Sequence, residues 1–324
     1  MSCVPATAIS ISFSERTRTD IVTKDIQAIR QTLTGISGVP VTPYDASGNI
    51  DEALLAKLIA RVAGAGIHNL MAAGNTGEFF SLSLDEIRRV HAVTAEANEG
   101  RALISAAVGR SLVEAKALAR DAIAAGCGAI MSHHPMDPFA GPAAQVDYFL
   151  SLADAATVPV IAYVRTDTFS VADFRRLGSH DNIAGVKFAS PNLMLLADVI
   201  RSTKDLPTIW VCGLAEAWAP AFYAIGAQGF TSGFVNVFPE ISLAVHAALV
   251  RGDFAGARDL IDRFAGFEEL RTHHRNGANV TVVKEALGIL GYKVGPVRLP
   301  GVPKLAPAER ATLEGIIAAQ MAAV

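Results

Sequence analysis

Cysteine is scarce in this 324-residue chain, which contains only three, Cys3, Cys127 and Cys212. They lie far apart and no two have the CxxC spacing, so we expect neither a disulfide framework nor a cysteine-based zinc site. This scarcity is typical of proteins of the reducing cytoplasm. The first 20 residues also lack a basic region followed by a long apolar one, so we do not expect a secretory signal peptide.

Long apolar runs and an excess of one charge are absent as well. No uncharged apolar stretch reaches the roughly 18 residues of a membrane span. The 28 Lys and Arg residues nearly balance 31 Asp and Glu residues, with no basic stripe. We therefore expect neither a membrane nor a nucleic acid as partner. A hydrophobic fraction of 51% with 18% charged residues indicates a globular protein and not a disordered one.

What the sequence does contain is a regular alternation of short apolar runs with longer amphipathic stretches. The apolar runs number eight and occupy residues 35–42, 67–74, 102–109, 128–134, 158–164, 183–188, 208–213 and 229–234. Eight evenly spaced strand–helix units predict a (β/α)8 TIM barrel, with a doubly wound open sheet as the alternative fold. In such a barrel the chemistry lies at the C-terminal ends of the strands.

The pattern divides the chain into three segments. Residues 1–32 are predicted to form an N-terminal extension with a lead-in helix from residue 21, and residues 33–251 the barrel. Residues 252–324 are predicted to form a C-terminal helical extension, because helical patterns recur at 254–274, 280–291 and 307–324. No low-complexity linker separates these segments.

One lysine stands in an unusual place, since Lys187 lies inside the otherwise apolar run IAGVKF at residues 183–188. A buried ammonium group is disfavoured by desolvation, which lowers its pKa and makes the amine nucleophilic. Such a lysine can form a Schiff base with a carbonyl compound. The alternative is a structural lysine in an ion pair, with Glu78 as the candidate partner.

Two neighbouring features favour the chemical interpretation. Tyr163 ends the preceding strand, where its phenol can relay protons to the amine. The segment Gly74-Asn75-Thr76-Gly77-Glu78 follows strand 2, and its glycines allow a sharp turn that exposes N–H groups to a carboxylate. Each feature alone has a structural interpretation, namely a packing tyrosine and a tight turn. Together they predict a site for a 2-oxo acid.

These residues resemble the dihydrodipicolinate synthase/N-acetylneuraminate lyase family of Schiff-base barrel enzymes. The similarity covers about residues 33–310 and rests on PVTPYDASGNID, AAGNTGEFFSLSLDE, VPVIAYV and IAGVKF. Within the family, the segments GNTGEFFSL and VTVVKEALGILGY resemble the 5-dehydro-4-deoxyglucarate dehydratases. The resemblance implies a homotetramer, a 2-oxo acid as the small-molecule substrate, and no cofactor beyond the covalent imine to Lys187.

The resemblance also implies roles for individual residues. Lys187 and Tyr163 would be catalytic, and Thr76 with Gly77 would bind the C1 carboxylate. Arg165 would bind a distal carboxylate or hydroxyl. The other substrate-binding candidates are Asn75, His134, Gly213 and Ser232, while no set of residues at this level predicts a metal site. His133 is a further candidate base, with packing as the alternative for both histidines.

Departures from the family pattern bear on the substrate. Asn75 and Thr168 replace the threonine and the substrate-binding arginine of the synthases, so we do not expect dihydrodipicolinate synthesis. Val164 and the pair Phe188-Ala189 replace polar residues of the dehydratases, which predicts a less polar pocket. Dehydration therefore remains the leading hypothesis, with retro-aldol cleavage releasing pyruvate and a non-catalytic sugar-acid-binding barrel as the alternatives.

Overall fold

The computed structural model describes residues 25–322 and contains a closed barrel of eight parallel strands, each paired with its sequence neighbours and β1 paired with β8. The strands are β1 (Ile36–Gly38), β2 (Asn69–Ala72), β3 (Leu103–Val108), β4 (Ala129–Ser132), β5 (Val160–Val164), β6 (Ile183–Phe188), β7 (Ile209–Cys212) and β8 (Phe230–Ser232). The predicted TIM barrel is confirmed. The open sheet is excluded because β1 and β8 share a three-residue register.

Helices fill the connections and surround the barrel. They are α1 (Ile26–Leu33), α2 (Glu52–Gly64), α3 (Leu84–Asn98), α4 (Leu112–Ala124), α5 (Pro142–Ala155), α6 (Val171–Gly178), α7 (Leu193–Ser202), α8 (Ala219–Ala224) and α9 (Pro239–Val250). The helix α1 corresponds to the predicted lead-in helix, whose first residues, 21–24, lie outside the described part of the chain. None of the described helices is long and apolar enough to traverse a bilayer.

Local sequence explains where several helices begin. The side chains of Ser83, Ser111 and Ser170 each accept a hydrogen bond from the backbone N–H three residues on. The acidic side chain at that third residue accepts a hydrogen bond from the backbone N–H of the serine. These capping boxes satisfy N–H groups that would otherwise lack partners at the helix start. They fix the points at which the barrel loops give way to helices α3, α4 and α6.

Four more helices follow the last barrel unit: α10 (Phe254–Asp262), α11 (Ala265–Asn276), α12 (Asn279–Ile289) and α13 (Pro307–Ala322). The prediction of one continuous helix over 254–274 is wrong, because the chain bends at Phe264. This bend places the buried Phe264 ring in a stack on Phe234, with centroids 4.2 Å apart. Tertiary packing of one aromatic ring thus overrides a helical pattern.

Candidate active site

A cavity of about 580 Å³ opens where the barrel strands end, between those strand ends and the helices α10–α12. Seven residues singled out by the sequence line it together: Asn75, Thr76, Tyr163, Arg165, Lys187, Gly213 and Ser232. Gly77 and His134 are not among the described residues that line it. The barrel rule therefore predicts the end of the strands at which the cavity opens and seven of the residues that line it.

Lys187 lies at the base of this cavity and is 3% exposed. Its Nζ is 4.0 Å from the centroid of the Tyr163 ring and 3.9 Å from Met71 Sδ. Within residues 25–322 no carboxylate forms an ion pair with it. Burial, reinforced by the charge of Arg165, lowers the pKa of Lys187 to about 7. A large fraction of this amine is consequently neutral near pH 7.

Tyr163 is the neighbour that Lys187 meets across the sheet, because the two residues are register partners on β5 and β6. The phenol oxygen accepts a hydrogen bond from Asn75 Nδ2 at 3.1 Å. Burial raises the pKa of Tyr163, so the phenol keeps its proton at neutral pH. A protonated phenol beside a partly neutral amine can donate to an oxygen attached to the carbon that the amine attacks.

The loop after β2 turns sharply to present Thr76 to the cavity. The carbonyl of Gly77 accepts a hydrogen bond from Thr42 Oγ1 at 2.7 Å, and its N–H donates to Gly74 O at 2.9 Å. A Cβ at Gly77 would lie 3.0 Å from Pro40 O, so only glycine fits without a shift. Gly77 thereby shapes the turn from behind the wall, and Thr76 is the member of the pair that reaches a ligand.

Glu78 is the candidate ion-pair partner of Lys187, but the structure places its carboxylate elsewhere. It is buried with Oε1 2.5 Å from Lys284 Nζ on α12, and Oε2 accepts from the N–H of Arg298 at 2.8 Å. The hypothesis that Lys187 is a structural lysine paired with Glu78 is therefore wrong. The turn that presents Thr76 to the cavity also directs the Glu78 side chain away from the barrel interior.

Arg165 and Ser232 differ in how freely they can meet a ligand. Arg165 is exposed at the rim, with its guanidinium 6.0 Å from the Tyr163 ring centroid. Ser232 is buried and its hydroxyl already donates to Glu216 Oε1 at 2.5 Å while accepting from Val235 N–H. Ser242 donates to the same oxygen, and burial raises the pKa of Glu216. Ser232 thus forms part of the cavity wall, but its hydroxyl is not free to donate a hydrogen bond to a ligand.

The two histidines after β4 have different surroundings. His133 is buried with its ring 4.2 Å from Phe79 and 5.7 Å from Tyr163, between centroids, and burial lowers its pKa to about 3. It is a neutral packing partner of the tyrosine. His134 lies against Phe149 and Phe169, away from the cavity, and burial lowers its pKa to about 4.

The expectation that Val164 and Phe188 make the pocket less polar is wrong. Both are fully buried, and the ring of Phe188 packs against Phe174 and Phe222 of the surrounding helices. Side chains alternate along a strand, so the neighbours of the inward-facing Tyr163 and Lys187 face outward. Of Val164, Phe188 and Ala189, which stand where the dehydratases have polar residues, only Ala189 lines the cavity, so the expectation applies to that position alone.

The sequence patterns give no indication of the cavity wall supplied by the C-terminal helices. The polar residues there are Glu268, Glu269, Arg271, Thr272, Asn276 and Asn279. Their motifs are ordinary helical ones, and only the three-dimensional path of α11 and α12 places them above the barrel mouth. Across residues 25–322, His, Cys, Asp and Glu side chains form no cluster of three or more suited to a metal ion.

Comparison with known proteins relates this site to a family. Residues 32–320 match the model of the Dihydrodipicolinate synthetase family. A protein of Ectopseudomonas mendocina named a probable 5-dehydro-4-deoxyglucarate dehydratase is 31% identical over 294 residues, covering 88% of this chain and 95% of the relative. A protein of Streptomyces avermitilis with the same name, numbered 2, is 33% identical over 279 residues, covering 82% of this chain and 81% of the relative.

Solved structures with the same fold cover most of this chain. The dihydrodipicolinate synthase of Oceanobacillus iheyensis superposes with a TM-score of 0.89 at 34% identity, covering 92% of this chain and all of that one. The N-acetylneuraminate lyase of Mycoplasma synoviae shares the fold, with a TM-score of 0.77 at 21% identity.

Proposed function

The chain belongs to the dihydrodipicolinate synthetase family, as its motifs indicate, and we propose that it dehydrates a 2-keto-3-deoxy sugar acid through an imine to Lys187. It is a lyase of this family, and the imine to Lys187, the dehydration and the substrate are the proposed parts. The observation that carries the proposal is a buried lysine that has no counter-ion among residues 25–322, with its pKa lowered to about 7, next to Tyr163 in a polar cavity.

The first step follows from the geometry of Lys187 and Tyr163. The neutral Nζ attacks the C2 carbonyl of the substrate, and the phenol of Tyr163 donates a proton to the developing oxyanion. Loss of water from the carbinolamine then gives a protonated imine. Thr76 holds the C1 carboxylate through its hydroxyl, so that C2 lies over the amine. The protonated imine on Lys187 is the electron sink for the next step, so the proposed chemistry requires no metal or organic cofactor.

The second step uses the imine to remove water from the substrate. The Tyr163 phenolate left by the first step takes the proton from C3 to give an enamine, whose electrons expel the C4 hydroxyl group as water when the same phenol protonates it. Hydrolysis of the resulting imine consumes one water and releases Lys187 with the dehydrated 2-oxo acid. Decarboxylation at the far end of a dicarboxylate releases one CO2 in addition.

The proposed substrate class is a six-carbon sugar acid such as 5-dehydro-4-deoxyglucarate. Two observations support it: the sequence relatives named for that activity, and the exposed Arg165 at the rim. A guanidinium there can bind a second carboxylate with two parallel hydrogen bonds. Thr168 occupies the position of the substrate-binding arginine of the synthases, which disfavours dihydrodipicolinate synthesis.

The imine is tested by incubating the protein with pyruvate, reducing with borohydride and locating the adduct by peptide mass spectrometry. We expect the adduct on Lys187. No adduct there with any 2-oxo acid would overturn the proposal and favour a non-catalytic binding protein.

The reaction type is tested with 5-dehydro-4-deoxyglucarate itself. Dehydration predicts a product lighter by one water, or by one water and one CO2 where decarboxylation accompanies it, measured by mass spectrometry, without pyruvate. Release of pyruvate, followed with lactate dehydrogenase, would instead establish retro-aldol cleavage. The same assay with an Arg165→Ala variant should show a larger loss for this dicarboxylate than for imine formation with pyruvate.

We also propose that the protein works in the cytoplasm as a homo-oligomer, by analogy a tetramer. The location is supported by Cys127 and Cys212, which are both buried free thiols. Sedimentation analysis tests the assembly.

A further inference from the structure

Arg271 is a buried guanidinium in the cavity wall that the proposed reaction leaves without a role. It lies on α11, is 5% exposed and lines the same cavity as Lys187. Its Nη1 donates to Glu268 Oε1 at 2.7 Å and its Nη2 donates to Asn279 Oδ1 at 3.0 Å. The bond to Glu268 is also an ion pair, and of the five N–H donors of the guanidinium the two bonds leave three without a partner, one of them on Nε.

Among the described residues, no acceptor faces Arg271 Nε, although this atom is fully buried. Because Nε has no accessible surface, a ligand in the cavity can be bound only by N–H groups on Nη1 and Nη2. Glu268 and Asn279 each take one N–H of these two atoms and hold the guanidinium in one orientation. One N–H on each Nη atom therefore remains beside the cavity.

The position of this guanidinium relative to Thr76 identifies the anion. A Cβ built on Gly233, directly after β8, would lie 2.8 Å from Arg271 Nη2 and 3.4 Å from Thr76 Oγ1. Real Cβ atoms do not come within 3.0 Å of a neighbour, so the guanidinium packs directly on Gly233, with the Thr76 hydroxyl beside it, and a side chain at this position would displace it. Gly233 has an ordinary right-handed helical conformation, with φ −89° and ψ −23°, so backbone geometry does not require glycine there.

We infer that Arg271 completes the C1-carboxylate site, so that the 2-oxo acid is held between Thr76 of the barrel and a guanidinium of the C-terminal helices. A carboxylate in the cavity accepts from Thr76 Oγ and from the free N–H groups on Nη1 and Nη2 of Arg271. Bonds between ionised partners are shorter and stronger than neutral ones. This inference rests on the proposed imine chemistry and adds to it a residue outside the barrel.

The consequence is that the C-terminal helices select the reacting end of the substrate. A ketone without a neighbouring carboxylate gains nothing from Arg271, whereas every 2-oxo acid does. Arg165 at the rim distinguishes the distal end, so the two arginines have separable effects. Arg271 also places the carboxylate charge close to the imine that forms on Lys187.

The test compares pyruvate with pyruvamide, its neutral amide, as probes of imine formation. Both have the C2 ketone, but only pyruvate has the carboxylate. The rate of adduct formation on Lys187 is measured by reductive trapping and mass spectrometry at concentrations below saturation. For Arg271→Met we expect a fall of about 10- to 100-fold with pyruvate, the range for a lost hydrogen bond to a charged group. The rate with pyruvamide should stay at its wild-type value.

Two further variants separate a ligand contact from a structural role. Gly233→Ala keeps the charge but its methyl group displaces the guanidinium, so it should also slow pyruvate selectively. Arg271→Lys keeps a charge without the fork and should lie between wild type and Arg271→Met. The pyruvamide rate reports in each case that Lys187 and its surroundings are intact.

Equal losses with pyruvate and pyruvamide would overturn the inference, because they would indicate a structural role for Arg271. So would an unchanged preference for pyruvate in Arg271→Met or Gly233→Ala. If wild-type protein forms no adduct at Lys187 with either probe, the proposed function fails instead. The two failures are thus distinguishable in one experiment.

Discussion

Two buried lysines in this protein have opposite electrostatic surroundings. Lys187 in the barrel is 3% exposed and, within residues 25–322, has no ion-pair partner, while Lys284 on α12 is 2% exposed and forms an ion pair with Glu78. Burial lowers both pKa values, to about 7 for Lys187 and about 8 for Lys284. At Lys284 the carboxylate of Glu78 opposes the effect of burial, whereas at Lys187 the charge of Arg165 adds to it.

The difference shows that burial alone does not identify a nucleophile. Lys284 lies between Glu78 and the ring of Tyr44, with Nζ 4.0 Å from the ring centroid and Arg298 over the same ring at 4.1 Å. This cluster joins the loop after β2 to the C-terminal segment and remains compensated at neutral pH. Lys187 has no such compensation and opens onto a cavity. The combination of an unpaired ammonium group with access to a ligand distinguishes the chemical site from the structural one.

The largest expected effect comes from removing the unpaired lysine. Lys187→Met should reduce lyase activity by on the order of 10⁴-fold or more, as for loss of a nucleophile elsewhere. Its folded state should be at least as stable as wild type, because methionine fills the site without a buried charge. Steady-state kinetics and urea denaturation measure the two properties. An active Lys187→Met protein would contradict the assignment.

The second largest expected effect is a loss of stability and not of chemistry, since Lys284→Met removes a lysine whose charge is compensated by Glu78. It leaves the Glu78 carboxylate buried without its cation, so we expect a loss of about 3–5 kcal/mol in the free energy of unfolding. The matched control is the double variant Glu78→Gln/Lys284→Met, which removes both charges and should recover most of the loss. A single variant as stable as wild type would show that the pair contributes little. Trapping of pyruvate on Lys187 should persist wherever the variant is folded.

The comparison also shows what the sequence could and could not predict. The barrel, its strand order and the pairing of Tyr163 with Lys187 follow from hydrophobic periodicity and from the rule for strand ends. The partner of Glu78 could not be predicted, because it comes from α12, more than 200 residues away. Arg271 could not be predicted for the same reason: the path of α11 over the barrel mouth depends on packing such as that of Phe264 on Phe234.

The smallest expected effect is a pH dependence that only the unpaired lysine produces. Because the pKa of Lys187 is about 7, its neutral fraction rises from about a tenth at pH 6 to about nine tenths at pH 8. We expect the rate of pyruvate trapping with cyanoborohydride to increase by about 5- to 10-fold over that range at pyruvate concentrations below saturation. A rate that does not change between pH 6 and 8 would show that the amine titrates elsewhere.

Stability provides an independent measurement of the same pKa. The unfolded chain binds a proton at this lysine up to about pH 10.5, whereas the folded chain releases it near pH 7. Between these values the unfolded state binds more protons, so the free energy of unfolding of wild type should rise with pH relative to Lys187→Met. The penalty of burying the ammonium group applies in full below pH 7 and disappears towards pH 10.5. A constant difference between the two proteins across this window would contradict a lowered pKa at Lys187, whatever the trapping rates.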